Sequence, residues 1–261
     1  MSDPETARPA SARPGGRTQA GGRPRPGHTS GAIGVAPSRR FLGAGSVGWR
    51  GSVGLDTTHC TIVVVDVEAF GRPSRTNPNK VRIRRGMYCA IERAFAAAEI
   101  PWAGCRHADL GDGVLVLASA EIAKTPFADL LLGCLADELA AHNGVHPPEE
   151  HIRLRLALHA GEVSYDDHGV TGSSIIHAQR LLDAPELKAA LADTAAVLVV
   201  ITSDWFFDEV VRHSERAGAV AYRPVRIAGG DRPAPAWIRL FAAPAAVRRH
   251  SLLGPRRGRP D

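Results

Sequence analysis

Apolar runs alternate along the middle of the chain with segments whose apolar positions recur at helical spacing. Residues 60–67 form a continuous apolar run rich in β-branched side chains, which predicts a strand buried on both faces. Residues 81–99 place apolar side chains every three or four positions, which predicts an amphipathic helix that ends before Pro101. These two patterns predict a β-α unit at the start of the folded region.

The next segments repeat this alternation. Apolar runs at 102–108 and 114–119 flank a Gly-Asp-Gly sequence, which predicts a hairpin with a tight turn. A helix is predicted at 126–142, with Pro126 at a favourable first-turn position. The strict alternation at 152–159 predicts a strand with one face towards solvent.

The last third of the chain continues as mixed α/β material. The predicted elements are a hairpin-like excursion at 161–169, helices at 173–182, 185–191 and 204–213, a strand at 197–202, and a strand pair at 222–227 and 237–242. The order β-α-β-β-α-β followed by these elements predicts an α+β fold. We expect a ferredoxin-like split βαβ sheet with helices on one face and a C-terminal α/β extension.

The two ends of the chain differ from the middle in composition. Residues 1–55 are rich in Arg, Pro and Gly and poor in large apolar side chains, so they cannot offset the entropy of ordering and are predicted to be a disordered tail. Residues 247–261 form a second, basic tail with the same prediction. One folded domain is therefore predicted at 56–246.

The positive charge of the chain belongs to its tails. Residues 1–50 carry a net charge of +6 and residues 248–261 a net charge of +4, so the total of +5 leaves about −5 for residues 51–247. Arg-rich tails can bind nucleic acid through phosphate contacts. The near absence of Lys is more simply attributed to coding composition, and no aromatic residues are interleaved for base stacking. A nucleic-acid partner is therefore the weaker interpretation.

The sequence also bears on the compartment. No apolar run approaches the roughly 18 residues that span a bilayer, and the N-terminus has no apolar signal-peptide region, so neither a membrane span nor secretion is predicted. The four Cys are widely spaced with no C-x-x-C pair, and Cys89 falls in the apolar stripe of the predicted first helix. We expect buried, reduced thiols in a cytoplasmic protein without disulfides.

Two aspartates are the best candidates for chemistry. Asp66 ends the first predicted strand, and Asp112 lies in the turn of the predicted hairpin. Carboxylates at the ends of neighbouring strands supply the hard oxygen ligands that the divalent metal of a nucleoside triphosphate requires. The structural alternative is that each aspartate only caps a turn. Glu68 and Asp109, which lie near them, are expected to face solvent.

The order of these motifs resembles class III nucleotidyl cyclases, the adenylate and guanylate cyclase catalytic domains. The similar pattern covers residues 58–243 and consists of a strand ending in Asp-x-x-x-Phe, a helix, the Gly-Asp-Gly hairpin, a strand ending in His-Ala-Gly-Glu, and Gly-x5-Ala-x-Arg on a helix. The sequence looks closest to a divergent actinobacterial branch, in which the last motif reads like the segment from Arg180 to Pro185.

This resemblance implies a signalling enzyme that cyclises a nucleoside triphosphate to a 3′,5′-cyclic nucleotide and pyrophosphate. Asp66 and Asp112 would hold two Mg²⁺ or Mn²⁺ ions, with the carbonyl of Val67 as a further ligand. Arg180 would stabilise the charge that develops on the α-phosphate. The residues whose turn would bind phosphate oxygens are Glu68, Ala69, Phe70 and Gly71, with Arg226 as a further phosphate ligand from the final strand pair. In such cyclases the carboxylates and the arginine come from opposite subunits, which implies a head-to-tail homodimer.

Several positions depart from the family pattern. The two base-selecting positions hold Ala108 and Gly169, and the position of the transition-state Asn holds Ile176. The position of a triphosphate-binding Lys holds Ala228, for which Arg226 and Arg232 are candidate substitutes. Two functions therefore stay open. The sequence narrowly favours a metal-dependent nucleotidyl cyclase over a catalytically degenerate module that binds nucleotide or a protein partner.

Overall fold

The computed structural model describes residues 57–228 and 233–242, so the tails predicted at 1–55 and 247–261 lie outside the described residues. The described strands are β1 (Thr57–Val67), β2 (Cys105–Asp109), β3 (Gly113–Ser119), β4 (Leu154–Asp166), β5 (Gly169–Thr171), β6 (Ala196–Ser203), β7 (Arg223–Ile227) and β8 (Ala234–Ala242). The described α-helices are α1 (Asn77–Ala97), α2 (Thr125–Asp129), α3 (Leu131–Asn143), α4 (Ser173–Asp183), α5 (Pro185–Ala192) and α6 (Asp204–Phe206), and α6 continues as a π-helical turn, Phe207–Val211.

The strands form one mixed sheet in the order β2-β3-β1-β4-β6-β8-β7, with β5 paired to β4. Strand β1 is antiparallel to both of its neighbours, β3 and β4, and β4 is parallel to β6. The order β2-β3-β1-β4 is that of a split βαβ unit, and β6, β7 and β8 extend it on one side. This confirms the predicted α+β class with a C-terminal extension.

Two hydrophobic cores cover the two faces of the sheet, and β1 contributes to both. Val63 and Val65 pack in the core under α1, α2 and α3, so the helices of the split βαβ unit lie on one face as predicted. Ile62 and Val64 pack in the second core, which α4 and α5 of the following segment cover. The continuous apolar run in β1 follows from this position, because a strand between two cores has no solvent-facing side.

Helix α1 begins four residues before its predicted start because a polar cap defines its end. The side chain of Thr76 accepts a hydrogen bond from the amide of Asn79, and the side chain of Asn79 accepts one from the amide of Thr76. This reciprocal pairing satisfies amides that the first helical turn leaves without partners. The stripe of Ile83, Met87 and the apolar residues that follow is buried as the spacing predicts.

Other predictions need correction. The helix predicted at 126–142 is divided at Leu130 into α2 and α3, and the strand predicted at 152–159 continues to Asp166. The predicted wet face of that strand is wrong, because α4 packs against β4 and only 14 % of the Arg155 side chain is exposed. Cys89 is exposed rather than buried, whereas Cys60 and Cys105 are buried as free thiols.

Candidate functional site

The two candidate aspartates lie at the ends of adjoining strands. Asp66, near the end of β1, is the register partner of Gly113, the first residue of β3. The amide of Val67 donates a hydrogen bond of 2.9 Å to the carbonyl oxygen of Asp112. Neighbouring strands are about 4.8 Å apart, so both aspartates belong to one edge of the sheet. The structure therefore brings together the backbones of the two residues that the sequence singled out.

Glycines permit this close approach of the hairpin to β1. A Cβ at Gly113 would overlap the carbonyl oxygen of Val65 and stand 3.0 Å from the Cα of Asp66. Gly111 has φ +88°, a left-handed conformation that side chains with a Cβ rarely adopt. The Gly-Asp-Gly sequence is thus required by the turn itself as well as by any chemistry of Asp112.

Asp66 is buried and held by an arginine that the sequence did not predict to be at the site. Its side chain is 2 % exposed, and Arg155 on β4 is its register partner. The Nε of Arg155 donates to Oδ1 at 2.8 Å and Nη2 donates to Oδ2 at 2.7 Å, which is a two-pronged charge-assisted contact. Burial lowers the pKa of Arg155, but the hydrogen bonds and charge of Asp66 outweigh this and the pKa is raised.

A second arginine braces the hairpin that carries Asp112. Arg84 of α1 donates to both carboxylate oxygens of Asp109, at 2.9 Å for Oδ1, and also to the carbonyl oxygen of Gly111. The amide of Gly111 in turn donates to Oδ1 of Asp109 at 2.6 Å. The hydrogen bond from Arg84 lowers the pKa of Asp109. Asp109 is therefore fixed to α1 rather than facing solvent, which corrects the expectation from the sequence.

The turn after β1 presents backbone amides next to Asp66. The amide of Glu68 donates to the carbonyl oxygen of Arg153 at 2.9 Å, so this one of the four predicted phosphate donors is already used. The amides of Ala69, Phe70 and Gly71 donate to no acceptor within the described part of the chain. Ala69 has φ +52°, an uncommon left-handed conformation for a residue with a Cβ. Successive amides around a left-handed residue form a concavity that suits an anion.

Two arginines, one buried and one partly exposed, hold this turn in place. Arg75, which is 8 % exposed, donates to the carbonyl oxygen of Glu68 at 3.1 Å and to that of His151 at 2.8 Å. Burial lowers the pKa of Arg75. Arg153 forms an ion pair with the carboxylate of Glu68 at 3.2 Å, so Glu68 is also not the solvent-facing residue that we expected. The turn is tied to the segment just before β4.

The donor set at this edge suits a hard divalent cation. An ionised carboxylate offers about four lone-pair sites, and Arg155 uses two of those on Asp66. Within residues 57–228 and 233–242, no cluster of three or more His, Cys, Asp or Glu could by itself hold a metal. The remaining ligands would then be carbonyls, water and phosphate, which is the usual composition of Mg²⁺ sites at triphosphates. The two carboxylates thus fit a divalent cation whose other ligands come from outside these side chains.

The predicted transition-state residues lie on α4. This helix buries Ile175 and Ala178 against the sheet, whereas Ile176 is 52 % exposed and Arg180 is also exposed. Arg180 forms no ion pair with other described residues, and Asp183 pairs with Lys188 at 3.1 Å, which excludes the alternative pairing of Arg180 with Asp183.

The remaining predicted positions are distributed over the sheet. Arg226 is exposed on β7, four strands from β1, which corresponds to roughly 19 Å at the usual strand spacing. Ala108 is partly buried on β2, and Gly169 begins β5 with φ +140°. Neither offers a polar side chain that could read a base. Within one subunit the strand order therefore keeps Arg226 away from the aspartates.

A pair of histidines lies next to the transition-state position. The Nδ1 of His159 is 2.8 Å from the hydroxyl oxygen of Ser203, and its ring centroid is 4.8 Å from that of His177. Burial, together with the neighbouring His177, lowers the pKa of His159 to about 4. Burial, followed by the charge of Arg180, lowers the pKa of His177. Both imidazoles are therefore neutral at physiological pH.

Comparisons with known proteins identify the fold. No protein-family model and no curated protein matches the sequence. The catalytic core of a rhodopsin-guanylyl cyclase with converted specificity, solved in complex with ATPalphaS, is 14 % identical and superposes with a TM-score of 0.50 over 72 % of this chain and 97 % of that one. A bacterial light-regulated adenylyl cyclase is 13 % identical, with a TM-score of 0.48 over 70 % of this chain and 90 % of that one.

The guanylate cyclase domain of RhGC from Catenaria anguillulae, in complex with GTP, is 14 % identical, with a TM-score of 0.46 over 72 % of this chain and all of that one. Among the helices that the structure describes, none has the length and apolar character needed to cross a membrane.

The sheet order, the helices on its two faces and the superposition on the catalytic core of the rhodopsin-guanylyl cyclase agree. The chain has the fold of the class III adenylyl and guanylyl cyclase catalytic domains.

Proposed function

We propose that this chain is a metal-dependent nucleotidyl cyclase, a lyase that converts a nucleoside triphosphate to a 3′,5′-cyclic nucleotide and pyrophosphate. The observation that carries the proposal is the position of Asp66 and Asp112 at adjoining strand ends, beside a turn with three available amides. The fold that the chain shares with the catalytic core of a rhodopsin-guanylyl cyclase supports it. The segment from Arg180 to Pro185 favours a divergent actinobacterial-type branch of these cyclases. We expect the enzyme to act in signalling in the cytoplasm.

Each part of the site has a defined task in this proposal. Asp66, Asp112 and the carbonyl of Val67 hold two Mg²⁺ or Mn²⁺ ions, which would offset the triphosphate charge and lower the pKa of the attacking ribose hydroxyl. The amides of the turn at Ala69–Gly71 bind phosphate oxygens. Arg155 orients the Asp66 carboxylate through its two hydrogen bonds, so the ligand is preorganised before the nucleotide arrives.

A second subunit completes the site. Arg180 and Ile176 are exposed on α4, and Arg226 is exposed on β7, so these side chains are available to another molecule. In a head-to-tail homodimer with twofold symmetry, Arg180 of one subunit stabilises the α-phosphate held by the aspartates of the other, and Arg226 contributes to triphosphate binding. Such a dimer has two equivalent sites.

Product formation tests the proposal directly. Purified protein is incubated with Mn²⁺ and each of the four ribonucleoside triphosphates, and cyclic nucleotide and pyrophosphate are measured by mass spectrometry and a coupled assay. Asp66→Asn and Asp112→Asn should lower turnover by about 100-fold or more. Asp167→Asn, in the exposed turn after β4, is the matched control and should leave turnover unchanged. Absence of any cyclic product from a dimeric, metal-loaded protein would disprove cyclase activity.

Subunit mixing tests the shared site. Asp112→Asn and Arg180→Ala subunits should each be inactive alone, because each lacks one half of every site. Reassembly of the two at equal amounts should restore about a quarter of the wild-type activity, since half of the dimers are mixed and each mixed dimer has one intact site. Failure to restore activity, with mixed dimers confirmed by native mass spectrometry, would show that the aspartates and Arg180 do not act across an interface.

A second candidate function is a nucleotide-binding or protein-interaction module without turnover. It is favoured by the exposed apolar Ile176 at the transition-state position and by the absence of polar side chains at Ala108 and Gly169. Loss of one preorganised donor typically lowers turnover by about 100-fold. This candidate requires that triphosphates with Mn²⁺ raise the melting temperature while no pyrophosphate is released. Steady production of pyrophosphate would eliminate it.

A further inference from the structure

A groove of about 510 Å³ lies between α1 and α3, on the outer side of the core that covers one face of the sheet. We define the α1–α3 groove by Gly86 at its floor, Arg82, Arg85 and Arg93 along α1, and Val145 and His146 in the segment just after α3. Asp66 is separated from it by this core and has no part in its lining. The groove is therefore distinct from the candidate cyclase site.

The floor of the groove is formed where His142 of α3 packs against α1 at Gly86, which has no side chain. A Cβ at Gly86 would stand 2.5 Å from Cε1 and 2.8 Å from Nδ1 of His142, so the imidazole of His142 lies across the space that a side chain would fill. The Nε2–H of His142 donates to the carbonyl oxygen of Glu150 at 3.1 Å, which fixes the ring. The cleft is a product of these packed residues rather than of a loose surface.

The charge of the groove is carried by its three arginines. Arg82 pairs with Glu150 at 2.7 Å at one end, and Arg93 pairs with Glu138 at 3.3 Å at the other end. Arg85, between them, is exposed and forms no ion pair within the described part of the chain. Burial lowers the pKa of His142, so this histidine adds no charge at neutral pH. Three arginines against Glu138 give the lining of the groove a net charge of +2, on a central segment whose net charge is about −5.

The arrangement of the charges indicates an elongated ligand. Arg93 faces α3 at Glu138 and Gly86 faces it at His142, so the two helices are antiparallel and the groove follows their length. Arg82 and Arg93 are eleven positions apart, which is about 16 Å along a helix. Cations spread over this length match several carboxylates in a row rather than a single phosphate group. Val145, which is 80 % exposed, offers an apolar contact beside them.

We propose that the α1–α3 groove binds an acidic peptide segment of a partner protein, about five extended residues long. Both tails of this chain are Arg-rich, with net charges of +6 and +4, so neither complements the groove. Carboxylates of the partner pair with Arg85 and with the exposed guanidinium faces of Arg82 and Arg93, and an apolar partner side chain covers Val145. Arg–carboxylate pairs of this kind select acidic sequences through planar, two-pronged hydrogen bonds.

The test uses the full chain and a fluorescein-labelled peptide of six glutamates with one central leucine, followed by fluorescence anisotropy. Arg85→Glu should raise the Kd at least fivefold, because reversal of one charge replaces an attraction by a repulsion of similar size. The matched control is Arg223→Glu, which makes the same charge change at the edge strand β7 and should change the Kd less than twofold. Circular dichroism confirms that both variants are folded.

The reactivity of Cys89 reports whether the peptide binds in the groove, because the exposed thiol of Cys89 lies there. The glutamate peptide should slow alkylation of Cys89 by iodoacetamide at least threefold, as followed by mass spectrometry, whereas a six-lysine peptide should not. If the peptide does not protect Cys89 and binds Arg85→Glu as tightly as the wild type, it binds the Arg-rich tails instead, which would overturn the proposal. Stronger protection by inorganic triphosphate than by the peptide would also overturn it. Neither outcome depends on cyclase activity.

Discussion

Removal of Arg155 should cost a large part of the stability of the folded state. Arg155→Met keeps a long apolar side chain on β4 but removes the guanidinium from an Asp66 carboxylate that is 2 % exposed. Loss of one partner of a buried ion pair typically costs about 3–5 kcal/mol. The two charge-assisted hydrogen bonds, at about 1.5–3 kcal/mol each, give a similar range. Domains are stable by about 5–15 kcal/mol, so this loss is about a fifth of the total or more.

The assay is urea unfolding followed by tryptophan fluorescence, applied to Arg155→Met, Asp66→Asn and the double variant. The double variant should be more stable than the sum of the single effects predicts, by about 2 kcal/mol or more, because it leaves no charge buried at the site. Arg212→Met is the matched control. Its partner, Asp208, lies four residues earlier, and both side chains are largely exposed at 58 % and 40 %, so the loss should stay within about 0.5 kcal/mol.

The result that would refute this reasoning is a small effect at the buried pair. If Arg155→Met unfolds within about 1 kcal/mol of the wild type and the coupling with Asp66→Asn is near zero, the contact contributes no more than an exposed pair. The Asp66 carboxylate would then be stabilised by other groups, and Arg155 could not be regarded as the residue that orients it.

Three further predictions concern the same region. Gly113→Ala should lower the free energy of unfolding by about 1–3 kcal/mol, because the added Cβ overlaps the carbonyl oxygen of Val65. The control is Gly133→Ala in α3, which has open space around it and should be neutral or stabilising. Equal effects of the two substitutions in urea unfolding would contradict this. Arg84→Gln should speed hydrogen exchange of the 110–113 turn with little change in the exchange of β1; unchanged turn exchange would show that α1 does not brace the hairpin. The folded-state pKa of His159 is lowered to about 4 from 6.5, so the stability that neutral His159 contributes is fully present above pH 6.5 and is lost as pH falls towards 4, by about 3 kcal/mol in all. His159→Gln should therefore flatten the dependence of the free energy of unfolding on pH between 6.5 and 4. A pH dependence identical to that of the wild type would disprove this.

The fold and the aspartate pair could be predicted because their signals are local. The β-branched run before Asp66 specifies a buried strand, and Gly-Asp-Gly specifies a tight hairpin, so the neighbouring strand ends follow from the order of elements. The helix cap at Thr76 is also local, but the prediction relied on the apolar stripe and missed it. Local patterns therefore predicted which residues lie near the site.

The partners of these residues could not be predicted because they depend on long-range register. Arg155 is 89 positions after Asp66, and only the pairing of β1 with β4 places the two side chains together. The alternation of β4 indicated a polar face, but the cover provided by α4 is invisible in that pattern. The exposure of Cys89 was mispredicted for a related reason, since it depends on where α3 packs around α1 rather than on the apolar stripe alone.

The central place of β1 also determines when the protein can mature during translation. Its two neighbours, β3 and β4, are completed only at Ser119 and Asp166, so the ribosome adds about a hundred residues after Val67 before both edges of β1 are covered. At about 5–20 residues per second this interval is about 5–20 s. Throughout that interval the segment Ile62–Val65 is a nascent sequence with strong aggregation tendency. Yield in a cell is therefore set by chaperone capacity and elongation speed as well as by the stability of the finished domain.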